Sequence, residues 1–114
     1  MLIKTNFHHA RLQSSYEREI SIILQKLIQQ EGLPFFSVSY CVLSTKAETL
    51  KIYLVFMKDN DQSMLKIINK NYLFFIKRQL AKSKKFPRVP QITFFLDQKL
   101  KKISDLEETV KNIK

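Results

Sequence analysis

Apolar side chains at Leu12, Tyr16, Ile20, Ile23, Leu24, Leu27 and Ile28 are separated by four, three or one residues. That spacing draws one stripe along an α-helix. Thr5 or Asn6 offers an early cap, and Ser14 with Glu17 a capping box for a shorter helix. Gly32 followed by Pro34 marks the end. Residues 1–7 show no clear pattern and are expected to be loose. From Phe35 to Leu43 the pattern switches to alternation. Phe36, Val38, Tyr40 and Val42 share one face of a predicted half-buried strand, with Ser37, Ser39 and Cys41 on the other. A polar turn over Ser44–Glu48 leads to a second strand, Thr49–Met57, with Leu50, Ile52, Leu54 and Phe56 aligned. The short link predicts an antiparallel hairpin. Lys58–Ser63 is a polar loop ending in helix-capping residues.

Met64, Leu65, Ile67, Ile68 and Tyr72 return to helical spacing, as do Phe75, Ile76 and Leu80. The two half-stripes do not join in phase, so two short helices are expected to meet at a bend near Asn71, the second running to about Lys82. Ser83–Arg88 is a basic loop. Pro90 opens a third strand, Gln91–Leu96, with Ile92, Phe94 and Leu96 on one side. Ile103, Leu106, Val110 and Ile113 predict a short C-terminal helix, with Ser104 and Glu107 as a possible capping box. The order α-β-β-α-α-β-α describes an α+β fold, a three-stranded sheet with helices on one face.

The 114 residues suffice for one domain, with the ordered part expected over 8–114. Charge changes the picture more than length does. The net charge is +10, and residues 64–90 carry eight bases and no acid: Lys66, Lys70, Lys77, Arg78, Lys82, Lys84, Lys85 and Arg88. A solvated surface ordinarily mixes signs because like charges repel. An unmixed stretch beside mixed ones favours a phosphate-binding surface over a merely solvated face. Nucleic acid is the first partner class and an acidic membrane surface the second. In unbroken helical phase Lys66, Lys70 and Lys77 fall within about 40° of one another.

Other chemistry is sparse. The single glycine, Gly32, excludes phosphate-cradling glycine loops and a GxxG loop. The single cysteine, Cys41, excludes an intrachain disulfide and reads as a packed thiol. His8 and His9 are adjacent, point different ways on a helix and lack a carboxylate at ligand spacing, so a surface pair is preferred to a metal site. Asp59 and Asp61 fit a polar turn. Tyr72, Phe74 and Phe75 suit base stacking or the core; Phe75 and Ile76 are expected inside, with Phe74 between the two readings. No cofactor motif or catalytic constellation is visible, which argues against an enzyme. The longest apolar run, Ile52–Met57, is six residues, far below the roughly 20 of a membrane span. The start lacks the apolar segment of a signal peptide. Both fit a cytoplasmic protein.

Three stretches carry a resemblance to a known family: Arg11–Leu27, the hairpin Phe36–Ser44 with Leu50–Phe56, and above all Val89-Pro90-Gln91-Ile92-Thr93-Phe94-Phe95-Leu96-Asp97. With the helix pair between strands two and three, the chain resembles the bacterial ribosome-binding factor A family from about residue 8 onward. The resemblance implies a type II KH-like fold. It also implies a non-catalytic, monomeric, cofactor-free factor that binds 16S rRNA on the small ribosomal subunit and assists its late maturation, including 5′-end processing. A general nucleic-acid-binding or acidic-surface-binding module without ribosome specificity is the alternative. The family's basic helix-bend-helix face maps onto Lys66, Lys70, Lys77 and Arg78. One departure stands out: where the family has Ala-x-Gly at the bend, this chain aligns Tyr72-Leu73-Phe74. The bend must therefore be made differently, with Asn71 a candidate for a backbone conformation that glycine would favour.

Overall fold

The computed structural model describes residues 2–57 and 61–97. The expected C-terminal helix around Ile103–Ile113 lies outside the described residues. Helix α1 spans Leu2–Glu31, beginning ten residues before Leu12. No glycine or proline precedes Gly32, so nothing interrupts propagation toward the N-terminus, and Ser14 and Glu17 lie inside the helix rather than capping it. The expected stop is present. Gly32 has φ +63°, and the Leu33 N–H donates to the Ile28 carbonyl at 3.1 Å, the 6→1 bond of a Schellman ending. Leu33 and Ile28 both pack against the core. Along α1, Tyr16, Ile20, Ile23, Leu24 and Leu27 are buried.

Strands β1 (Phe36–Leu43) and β2 (Thr49–Phe56) pair antiparallel, and β3 (Gln91–Leu96) pairs parallel to β2. The sheet order is β1-β2-β3, so β2 is central and buries Leu50, Ile52 and Leu54. Ile92 and Phe94 of β3 join them. This is the type II KH-like α+β arrangement, and structural neighbours described below share it.

The face assignment of β1 needs correction. Val38 pairs with Leu54 and Tyr40 with Tyr53, leaving Ser39 as an extra residue in a bulge. A one-residue insertion moves every later side chain to the other face. Phe36 and Val38 meet the core before the bulge, and Cys41 and Leu43 after it. Tyr40 and Val42, expected alongside Val38, stand on the opposite face. There Tyr40 stacks on Tyr53 (centroids 4.5 Å apart) and Tyr53 on Phe95 (5.4 Å). The Ser39 hydroxyl donates to the buried Asp97 carboxylate at the end of β3.

The bend between the middle helices is a π-helical turn, Ile68–Tyr72, joining α2 (Asp61–Ile67) to α3 (Leu73–Lys82). Asn71 does not take a left-handed conformation; among the described non-glycine residues only Ala47 and Lys84 have positive φ. The sequence explains the π turn. Met64, Ile68, Tyr72, Ile76 and Leu80 recur every four residues, and in an α-helix each such step drifts by roughly 40°. A wider turn in the middle absorbs the drift. As a result Met64, Ile68, Ile76 and Leu80 are all buried, with Tyr72 packed beside them. Ile67 and Phe75, expected to face the sheet, are each 36% exposed.

The π turn is fastened from two sides. The Asn69 amide donates from Nδ2 to the Phe94 carbonyl at 3.0 Å, and its Oδ1 accepts from the Phe94 N–H at 3.1 Å. One side chain thus satisfies both backbone groups that edge strand β3 would otherwise leave unpaired at that position. The Tyr72 hydroxyl donates to Glu31 Oε1 at 3.2 Å, at the end of α1.

Asn69→Ala should therefore cost about 1–3 kcal/mol, because it strands a donor and an acceptor. Asn71→Ala, at an exposed position of the same turn, should stay within about 0.5 kcal/mol. Urea unfolding of the two variants checks this, and equal effects would mean that the amide clasp contributes nothing. Phe94→Ala, removing a fully packed ring, should cost about 3–5 kcal/mol in the same assay.

Candidate nucleic-acid interface

Helix α3 turns Ile76 and Leu80 into the core. Phe74, Lys77, Arg78 and Ala81 therefore form a second stripe, spaced three, one and three, on another side. That stripe faces the start of β3. With Val89, Pro90 and Gln91 it lines an open groove of about 450 Å³ that contains no acidic side chain. Phe74 is 73% exposed there. The neighbouring Phe75 diverges to the other flank of α3. It lines a groove of about 490 Å³ against α1, together with Ile22, Lys26, Lys82 and Glu19.

The structure sorts the cations that the sequence placed in one stretch. Lys77 and Arg78 belong to the groove beside β3, and Lys82 to the groove between α1 and α3. Lys66 and Lys70 are exposed but line neither. The π turn lies between Lys70 and Lys77 and breaks the common phase that an uninterrupted helix would give them.

The basic loop after α3 is held down on α1. The Tyr16 ring stacks on Phe86, with centroids 4.1 Å apart and planes 12° apart, and its hydroxyl donates to the Arg88 carbonyl at 3.0 Å. Burial raises the Tyr16 hydroxyl pKa, partly offset by the Arg88 charge. Lys85 Nζ forms an ion pair with Glu19 at 2.9 Å. The Arg88 guanidinium donates to the Lys46 carbonyl at 3.1 Å, in the β1–β2 turn. Lys85 and Arg88 thus already have intramolecular partners, while Lys84, at φ 57°, is exposed beside them. Anchoring this loop also brings in Arg18 of α1, which shares a small groove with Lys85 and Phe86. Arg18 lies far from the basic stretch in sequence, and no local pattern marks it as part of this surface.

The remaining candidates separate from this surface. Cys41 is buried, and its Sγ lies 3.6 Å from the Gln13 carbonyl. Burial, with Glu17 nearby, pushes the thiol pKa up to about 12. His9 Nε2 bonds the Ser44 carbonyl at 2.9 Å; a carbonyl only accepts, so the ring donates. Asp59 lies outside the described residues. Among the described residues no three His, Cys, Asp or Glu side chains are grouped to hold a metal ion. The outer face of the sheet carries the Tyr40–Tyr53–Phe95 row, but its charged strand residue Lys51 is matched by Asp97 beyond β3, so it lacks the unbalanced positive charge of α3.

The Cys41 environment makes a direct prediction. The thiol stays protonated at neutral pH, so the native protein should react with a thiol reagent at pH 8 only as fast as it unfolds. Because the folded-state pKa is raised, the stability from burying the neutral thiol is complete below the ordinary thiol range and is lost as pH rises toward about 12. Rapid labelling of the folded protein, followed by mass spectrometry, would contradict the burial.

Comparisons with known proteins agree with one another. The family described as ribosome-binding factor A matches residues 8–110. A ribosome-binding factor A from Wigglesworthia glossinidia brevipalpis is 27% identical over 113 residues, covering 96% of this chain and 90% of that one. The crystal structure of ribosome-binding factor A from Thermus thermophilus superposes with a TM-score of 0.65 at 19% identity, covering 77% of this chain and 94% of that chain. A Thermus thermophilus ribosome-binding factor A fitted into a cryo-EM map of a 30S complex gives a TM-score of 0.54 at 16% identity, over 75% of this chain and 90% of that one.

Proposed function

The chain belongs to the ribosome-binding factor A family, and from that premise we propose that it is a non-catalytic RNA-binding factor of the small ribosomal subunit. It associates with 16S rRNA and assists late maturation of the subunit, including processing at the rRNA 5′ end. It works as a cytoplasmic monomer without a cofactor. Among the described residues no helix is long and apolar enough to cross a membrane.

The observation that carries this reading is the acid-free groove beside β3, walled by Lys77 and Arg78. The exposed Lys66, Lys70, Lys82 and Lys84 surround it with further positive charge. Lysine and arginine at such a surface neutralise phosphates, which positions RNA without reading its sequence. The loop cations Lys85 and Arg88 contribute to the same field while they brace the loop. The protein supplies binding and orientation; cleavage of the rRNA belongs to a separate nuclease.

Two outcomes follow. Binding to purified small subunits should weaken steeply with salt, with a log–log slope of about −0.7 to −0.9 for each phosphate neutralised. Reversing Lys66, Lys70, Lys77 and Arg78 to Glu should abolish co-sedimentation with the small subunit. The melting midpoint should hardly change, because exposed substitutions typically cost within about 0.5 kcal/mol. Reversing Lys46, Lys51 and Lys58 should matter less, since that segment also carries acids. Equal loss in both sets would identify a diffuse polycation, and a salt-insensitive association would point to docking on a ribosomal protein.

A further inference from the structure

We infer that the groove between α3 and β3 receives an unpaired nucleotide, with Phe74 as the platform on which its base stacks. The inference rests on the RNA-binding reading above and adds a substrate class: single-stranded rather than duplex RNA.

Three observations converge. Phe74 is 73% exposed, the most exposed ring among the described aromatic residues whose exposure is given, and it contributes little to the core. It does not stand alone on a solvated surface. It lines a groove whose other contributors are the cations Lys77 and Arg78, the apolar Ala81, Val89 and Pro90, and the amide of Gln91. That combination matches a nucleotide part by part: a ring face for the base, two cations for the phosphates, and an exposed amide able to donate to or accept from a base edge. A groove with two cations and no acid is complementary to a polyanion and poorly suited to an apolar peptide. The ring's position is fixed by the backbone. The π turn sets the phase of α3 so that Ile76 and Leu80 face inward and Phe74 is delivered to the β3 side.

The placement also separates single strands from duplexes. In A-form RNA the bases are stacked on one another and the deep major groove cannot be read by side chains, so only an unstacked base presents a free ring face. Lys77 and Arg78 would attract either form through phosphates. Phe74 discriminates between them.

The test uses the full chain with two probes, a short oligouridylate and an RNA duplex of similar length, followed by fluorescence anisotropy at several salt concentrations. Phe74→Leu keeps an apolar side chain but removes the ring. It should weaken oligouridylate binding roughly tenfold, as loss of one base–aromatic stack does. Duplex affinity, the salt slope and the melting midpoint should stay unchanged. Phe74→Tyr should restore single-strand binding. If Phe74→Leu leaves oligouridylate affinity intact, or lowers duplex affinity equally, the stacking role is wrong. If the wild-type chain binds duplex RNA and small subunits but not oligouridylate, the single-strand inference fails and the assembly-factor reading stands. If it binds none of the three, both fail. If Lys77→Glu with Arg78→Glu leaves all RNA binding intact, the groove is not the RNA site, whatever Phe74 does.

Discussion

The double hydrogen bond between the Asn69 amide and the backbone of Phe94 is the constraint on which the functional surface depends. It fastens the π turn to edge strand β3 at one point, with donor and acceptor both satisfied. Everything C-terminal to that turn inherits its angle. Ile76 and Leu80 enter the core, and Phe74, Lys77, Arg78 and Ala81 come to rest against the start of β3. An ordinary α-helical continuation would let the four-residue hydrophobic spacing drift off the sheet. The wider turn keeps the apolar line inward and sends the cationic stripe to the groove.

The same economy of anchoring governs the loop that follows α3. A chain segment rich in Lys and Arg repels itself and has little reason to adopt one shape. Tyr16 supplies that reason through ring stacking on Phe86 and a hydrogen bond to the Arg88 carbonyl, while Glu19 neutralises Lys85. One acid and one buried aromatic of α1 thus hold a basic loop in place. The result is a positive surface of defined form: a groove on each flank of α3, and a braced loop leading into β3.

Membership of the ribosome-binding factor A family and the geometry of this chain carry different parts of the account. The family sets the general setting. The departure from Ala-x-Gly at Tyr72-Leu73-Phe74 is a property of this chain, and the structure gives it a physical meaning. Tyr72 packs on the core and reaches Glu31, Leu73 packs beside it, and Phe74 is left outside. Large residues are tolerated at the bend because a π turn with right-handed backbone makes it, with no need for glycine.

Local periodicity determined the order of elements, the stop of α1 at Gly32, the hairpin, the limits of β3 at Gln91 and Leu96, and the acid-free basic stretch. Each depends on neighbours within a few residues, where helical and strand periods are written directly in the chain. The points at which the period changes phase were decided by tertiary contacts. The bulge at Ser39 is bonded to Asp97, 58 residues away; the π turn is held by Asn69 to Phe94, 25 residues away; the basic loop is pinned by Tyr16 to Arg88, 72 residues away. Tyr40, Val42 and Phe75 were therefore assigned to the wrong side from sequence. The eight cations were correctly seen as one cluster in sequence but not as two grooves and a braced loop in space. A period can be counted along the chain, whereas an insertion into it is stable only where a distant partner satisfies the backbone groups and side chains that it displaces.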